Sequence, residues 1–584
     1  MKVFKIIALC SLSLLCASCS LKERILSEST MDSYYKTPQE CLTGLNACYT
    51  NVRAILNNSK YFTTSECQSD LMVLRAVDQK EATLQITPAQ PQFGATLWQQ
   101  AYNGIMRANS VEAAILRADF SEEEKRPLLA EAVVLRSLFY YLLTINFGDV
   151  PFYEEEVTWK NNDSIARLPR MSASKTRTTL IEELDYHLLQ CKSLDFKRTN
   201  DEDNQQRYRI GAAVGLMLAG KMCLWEERWS DAIKYFGVLE DIYGLGAGKP
   251  EGALAQYPLS DLPFGRRYID ESILEIANTS TEYGLIVTGA LASICTPVRQ
   301  VSTSEGADSS VEDDDSGMDE EEDENSDLSA DSDIYQGIRI PELGPYARTR
   351  TPARPTYRFF KYLMPYTSTD RRMARYDVLG NKIEDSGGYM AWGWEGYDPS
   401  EDMSVAQPAF RMFNGLKSYS RPYLGNKFWC FGMRYTKDSN SYRFFRYAGV
   451  LLSLAECWTM KGDKVKACAY LNEVRRRAGL EALNPGDFTV DALMAMVRDE
   501  SGRELFGECQ RKADLVRWGV WYDYVLKYNA GPVNSADNYM ESGENNTIMM
   551  RNLKPCHRYF PIPDEQITYS GGALDNNEYN SCGL

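Results

Sequence analysis

A chain of 584 residues, 44% of them hydrophobic, is long enough to build several cores or one large solenoid-like body. Its 81 acidic side chains outnumber the 64 basic ones for a net charge of −17, which argues against nucleic acid as a partner because no basic excess is available to neutralise phosphates. Only His187 and His557 could serve a Ser-His or Cys-His device, and neither adjoins a nucleophile signature such as GxSxG.

At the N-terminus Lys2 and Lys5 precede an apolar run, Ile6 to Leu15, that is too short to span a bilayer. Ala17 and Ser18 then place small residues before Cys19. The pattern predicts a signal peptide over 1–18. It resembles a bacterial lipobox, in which Cys19 is lipidated and becomes the mature N-terminus, with Cys16 standing where leucine is preferred. The implied location is a membrane surface, held by lipid, and no other stretch reads as a membrane helix. Cys16 and Cys19 also form a CxxC, but in a segment expected to be cut. Twelve cysteines follow, Cys41 to Cys582, scattered singly without zinc-site spacing. Some disulfides are possible, while Cys223, Cys457 and Cys468 fall in apolar helical patterns and read as packed thiols.

Residues 31–56 open with a turn and continue as an amphipathic helix, with Pro38 in its first turn and Cys41, Leu45, Cys48, Val52 and Ile55 in one stripe. Trp98, Tyr102, Ile105, Asn109, Val111 and Ile115 recur at helical spacing, so Trp98 reads as core rather than as a sugar-stacking platform. From Leu128 to Asn146 most of the helical circumference is apolar, which predicts a core helix wrapped by other elements. Gly148 and Pro151 end it. Glu131 and Arg136 then need buried partners, a structural role rather than a catalytic one. Residues 211–240 and 445–478 each read as a helical hairpin with small residues (Ala219, Ala232; Ala455, Ala467) where helices touch, the logic of a tetratricopeptide repeat. Their separation in sequence predicts a scaffold of hairpins rather than a continuous array. Between them Tyr268 to Ile276 reads as a short strand.

Residues 305–334 hold 15 Asp or Glu and no Lys or Arg, and removing them takes the formal charge from −17 to −2. That composition predicts a disordered acidic insertion. Glu312, Asp314, Ser316, Gly317 and Asp323 fall at EF-hand offsets, but the first and last ligands are the wrong acids and Asp319 occupies the hydrophobic position, so no metal is assigned. From 341 to 447 the chain is rich in Tyr, Arg, Gly and Pro and reads as long ordered loops. Within it Tyr389, Trp392, Trp394 and Tyr397 lie among glycines 387, 388, 393 and 396. In 497–519, Glu500, Glu504, Glu508 and Asp514 stand three or four residues from Arg503, Arg511 and Arg517, which reads as a helix-surface or interhelical ion network rather than a glycosidase pair. No P-loop, GxGxxG or HExxH occurs, so no cofactor is implied and an enzyme is not expected.

The run AEAVVLRSLFYYLLTINFGDVP, the order Trp98-x-x-x-Tyr102-x-x-Ile105-x-x-x-Asn109, the ESILEI strand and Asp370-x-Arg372 resemble the SusD/RagB family of outer-membrane nutrient-binding lipoproteins. The blocks FRYAGVLLSLAECWTMKGD, ACAYLNEVRRRAGL, VRDESGRELFGECQRKADLVRWG and RYFPIPDEQI follow that family's order. Asp499 departs from a usual Glu-Arg pair, and Asp575-Asn576-Asn577 replaces the terminal Gln-Asn-Pro. The resemblance implies a mainly α fold, SusD-like, built on tetratricopeptide-type hairpins with long loops and a few short strands, as one domain over 19–584.

It also implies an outer-membrane lipoprotein facing the cell exterior, a SusC/RagA-like TonB-dependent transporter as partner, and non-catalytic capture of an oligosaccharide or polysaccharide. Peptide capture in the RagB manner is the alternative within the fold. A glycan-cleaving lipoprotein and a purely structural surface protein are the alternatives outside it. Trp392 and Trp394 share one side of an extended chain, and with Tyr397 and Tyr389 they are the candidate stacking platform, although the same rings could pack the loop onto the body. Asp70 and Arg75 are candidates for hydroxyl contacts, because relatives use loops in that neighbourhood.

Overall fold

The computed structural model describes residues 35–74, 80–196, 209–244, 253–278, 289, 291–295, 353–356, 358–364, 369–372, 391–392, 423–425, 427–430, 438–529 and 549–584. The signal segment, Cys19 and the acidic stretch 305–334 lie outside them.

Among the described residues nine principal helices make the body. They are α1 (Pro38–Leu56), α2 (Phe93–Arg117), α3 (Glu122–Phe147), α4 (Ala173–Asp185), α5 (Ala212–Trp225), α6 (Trp229–Tyr243), α7 (Tyr447–Met460), α8 (Lys464–Arg477) and α9 (Val490–Glu504). Each packs on the next in this order, so the helices form one continuous stack. The α5–α6 and α7–α8 hairpins are therefore direct neighbours, with α6 against α7, although some two hundred residues separate them in sequence. The expectation of discontinuous hairpins fails because separation along the chain does not limit which faces meet.

The core helix is α3, and every residue from Ala130 to Ile145 is buried. It is long and apolar enough to cross a bilayer, contrary to the sequence reading, but its length is enclosed by the helices around it. It starts six residues before Leu128, because Ser121 and Glu124 form a capping box upstream of Pro127. Proline so near the start removes few backbone bonds. At its end Gly148 adopts φ +73°, as its place in the sequence required. Glu131 accepts from Tyr49 Oη at 2.6 Å and Arg209 Nε at 3.1 Å. Arg136 is held by Glu112, by Glu183 at 2.7 Å and by Asn109 at 3.1 Å. Trp98 packs edge-on against Phe147 at 5.0 Å and is buried, as the helical spacing implied.

Among the described residues three two-stranded antiparallel ladders tie distant segments together. β1 (Met72–Leu74) pairs with β3 (Ala353–Pro355), β2 (Ser272–Ile276) with β6 (Tyr442–Arg446), and β4 (Ala391–Trp392) with β5 (Tyr423–Leu424). The strand expected at Tyr268–Ile276 is thus β2, shortened at its start. One apolar core runs through the helical stack, and a second lies beneath the β1–β3 ladder around Phe62, Phe359, Phe428 and Phe506. The Phe359 and Phe506 rings stack with centroids 3.9 Å apart. All twelve cysteines from Cys41 onward are thiols in the structure.

Candidate ligand site

The aromatic run expected to meet a ligand passes through β4. Ala391 faces Leu424 and Trp392 faces Tyr423 across the ladder. The extended backbone inferred for the platform is thus present at Trp392. Its side chain, and Tyr389, Trp394, Tyr397 and Arg75, lie outside the described residues.

The support for that strand can be followed in detail. Leu424 is fully buried, and its carbonyl accepts from Trp429 Nε1 at 2.9 Å. Lys427 is sealed inside and donates to the Phe506 carbonyl at 2.8 Å and Glu508 at 2.6 Å. Burial pulls its ammonium down to about 8, against the opposing pull of Glu508. These contacts fasten the loop after β5 to the C-terminal end of α9, so the β4–β5 ladder rests on the helical body through a short, buried connection.

Asp70 is enclosed in the fold rather than set on its surface. It is fully buried, accepting from Arg511 Nε and Nη2, each at 2.8 Å, and from Arg358 Nη1 at 2.5 Å. Burial alone would raise its carboxyl, but Arg511 and then Arg358 outweigh burial and hold it below the ordinary carboxylate range. Arg358 also reaches Asp499 at 2.7 Å, so the departure from the family's Glu-Arg pair has a partner here. Asp70 therefore ties the segment before β1 to Arg358 and Arg511. The sequence could not reveal this, because Arg358 and Arg511 lie 288 and 441 residues away.

The acidic residues of α9 join the same kind of lattice, and it is interior rather than on a helix surface. Arg372 donates to Asp370, Glu500 and Glu504, each at 2.7 Å. Arg446 reaches Glu271 and Glu504 at 2.7 Å and Glu508 at 2.9 Å. Arg477 meets Glu271 at 2.7 Å and also bonds Glu504. Against the upward push of burial, these guanidiniums hold Glu271, Glu500 and Glu504 below their ordinary values. Carboxylates held in the charged form by several arginines suit a lattice that keeps loops in place. Among the described residues no group of three His, Cys, Asp or Glu side chains could hold a metal ion.

Sequence reasoning missed Lys427, Trp429 and Arg358 as supports of the site. Their only signal was a basic or aromatic residue in a loop too irregular to predict its neighbours.

Two family models match the chain: one described as the SusD family over residues 362–579, and one described as "Starch-binding associating with outer membrane" over 20–187. SusD-like protein P25 of Formosa agariphila is 24% identical over 506 residues, spanning 83% of this chain and 79% of that protein. A SusD homolog from Bacteroides thetaiotaomicron superposes with TM-score 0.66 at 19% identity, covering 94% of this chain and 98% of its own. Surface glycan-binding protein A from Bacteroides thetaiotaomicron, in complex with laminarihexaose, gives TM-score 0.61 at 18% identity over 93% of this chain and 99% of its own. The mainly α fold is shared along nearly the whole length.

Proposed function

The chain belongs to the SusD family, and from that membership we propose that it is a non-catalytic binder of an oligosaccharide or polysaccharide at the outer membrane, delivering it to a TonB-dependent transporter. The observation that carries the reading is the match of residues 20–187 to a family described as starch-binding and associated with the outer membrane. Lipidation at Cys19 supplies the anchor, and the lipoprotein faces the cell exterior. The ligand lies along the run from Tyr389 to Tyr397. Aromatic faces there stack on the apolar faces of sugar rings, while polar groups of neighbouring loops bond the hydroxyls. The ladder from Ala391 to Leu424 supports this placement, because it pins the start of that run to the body.

The test is a binding screen of the purified protein across polysaccharides and host glycans, followed by Trp392→Ala and Trp394→Ala. Loss of glycan binding at unchanged melting temperature supports the platform. A stability loss of about 3–5 kcal/mol in either variant would mean that the ring packs the loop instead. Binding of peptides without any glycan, or release of cleaved glycan during the screen, would overturn the functional reading.

A further inference from the structure

The last residues of the chain fold back over the turn at Pro555–Arg558. Lys554 Nζ donates to the Cys582 carbonyl at 2.8 Å, and Tyr579 Oη donates to the Tyr559 carbonyl at 2.6 Å. The His557 and Tyr579 rings lie 5.9 Å apart, and Arg558 is paired with Glu578 at 2.5 Å. Residues on both sides of Cys556 are thus matched with residues of the helix Asn577–Ser581 and the turn after it. Between those paired flanks the Cys582 sulfur is an electrostatic neighbour of the Cys556 thiol. Cys556 is buried, whereas Cys582 reaches solvent. Burial first, and then the neighbouring Cys582 sulfur, pushes the Cys556 thiol up to about 12. In such a pair the solvent-reaching thiol is the one an oxidant meets first, while burial keeps the thiolate of the other scarce.

We propose that Cys556 and Cys582 form a disulfide that fastens the C-terminal tail to the turn at Pro555–Arg558, the oxidant being a small-molecule or protein disulfide. The reaction proceeds by exchange. The Cys582 thiolate attacks one sulfur of the oxidant's disulfide and expels a thiolate, leaving a mixed disulfide on the tail. The Cys556 thiolate then attacks Cys582 Sγ and expels the second thiolate. One S–S bond is broken and one formed, both protein thiols are oxidised, the oxidant is reduced to two thiols, and the two protons lost by the cysteines pass to those thiols. The bridge shortens the excursions open to the unfolded tail and protects the last residues from fraying.

The full chain, purified under reducing conditions, is equilibrated in a mixture of glutathione disulfide and glutathione, denatured, alkylated and digested. The expected result is a linked peptide pair containing Cys556 and Cys582 that reductant releases, with two fewer alkylated cysteines than in the reduced protein. Oxidised wild type should also resist carboxypeptidase digestion of its tail, and Cys582→Ser should be digested equally with or without oxidant. Cys556→Ser should accumulate a stable glutathione adduct on Cys582. Complete alkylation of both cysteines across all glutathione ratios, or a stable glutathione adduct on Cys582 in wild type, would overturn the proposal. The mapping on wild type does not depend on the variants folding, nor on the glycan ligand.

Discussion

Asp70 and Lys512 illustrate two opposite ways of burying a charge. Asp70 is matched by two guanidiniums, so truncating it leaves Arg511 with an unpaired interior charge. Asp70→Ala should cost about 3–5 kcal/mol, as for other broken buried pairs, measured by denaturant unfolding. A loss below about 1 kcal/mol would be the surface value, and would return Asp70 to the list of ligand contacts. Among the described residues no carboxylate meets the head of Lys512; Nζ donates to Gln68 Oε1 at 2.6 Å, and burial lowers its ammonium to about 7. In the unfolded chain the same group titrates near about 10.4. Between those values the unfolded state binds more protons, so this lysine makes stability rise as pH climbs from 7 towards 10, and its burial penalty is in full force below 7. Lys512→Met should remove that slope. Unfolding free energies of wild type and variant compared across this window isolate the effect, since the other titrating groups are common to both. An unchanged slope would mean that Lys512 stays charged in the fold.

Among the elements, helix packing was legible wherever the sequence carried a stripe, and illegible where a small residue mattered for what it lacks. The apolar circumference of α3 announced its enclosure, and the stripe of α1 its one buried face. The close approach of α2 to α3 was not readable, because it depends on Gly104. A Cβ there would sit 2.3 Å from the Phe139 ring, which is fully buried and has nowhere to go. Gly104→Ala should therefore destabilise. Overpacking costs about 1–3 kcal/mol against a helix-propensity gain of at most about 1 kcal/mol. Gly237 in α6 is the control, because a Cβ there meets nothing within 4 Å. Gly237→Ala should gain about 0.8–1 kcal/mol from propensity alone. Paired thermal melts of the two variants check the contrast, and equal shifts of the same sign would show that the α2–α3 contact is looser than described.

At the scale of the whole molecule, the arginine–carboxylate lattice and the three ladders do what no local pattern could disclose. Glu271, Arg372, Arg446, Arg477 and Glu504 come from five separate stretches of the sequence and meet in one interior network. Periodicity named the helices, and the carboxylates of α9 signalled a network, but the partners of each charge are set only when the chain closes. The proposed aromatic platform rests on composition alone, and the buried supports of the neighbouring β5 were illegible, since Lys427 and Trp429 donate to backbone carbonyls that carry no sequence signature. The long connection from Cys295 to Ala353 is bracketed at both ends, Gly289 bridging to Asp438 and Ala353 pairing with Leu74. Residues 305–334 make up about half of that connection and offer almost no large apolar side chain to bury. Halving a loop changes its closure cost by only about 0.6 kcal/mol, and in the favourable direction. Their removal also strips the chain of nearly all its net negative charge, which lowers self-repulsion in the compact state. Both terms point the same way, so a chain lacking 305–334 should melt at or slightly above the wild-type temperature in calcium-free buffer. A large fall in melting temperature would show that the acidic stretch folds against the body and contributes to its stability.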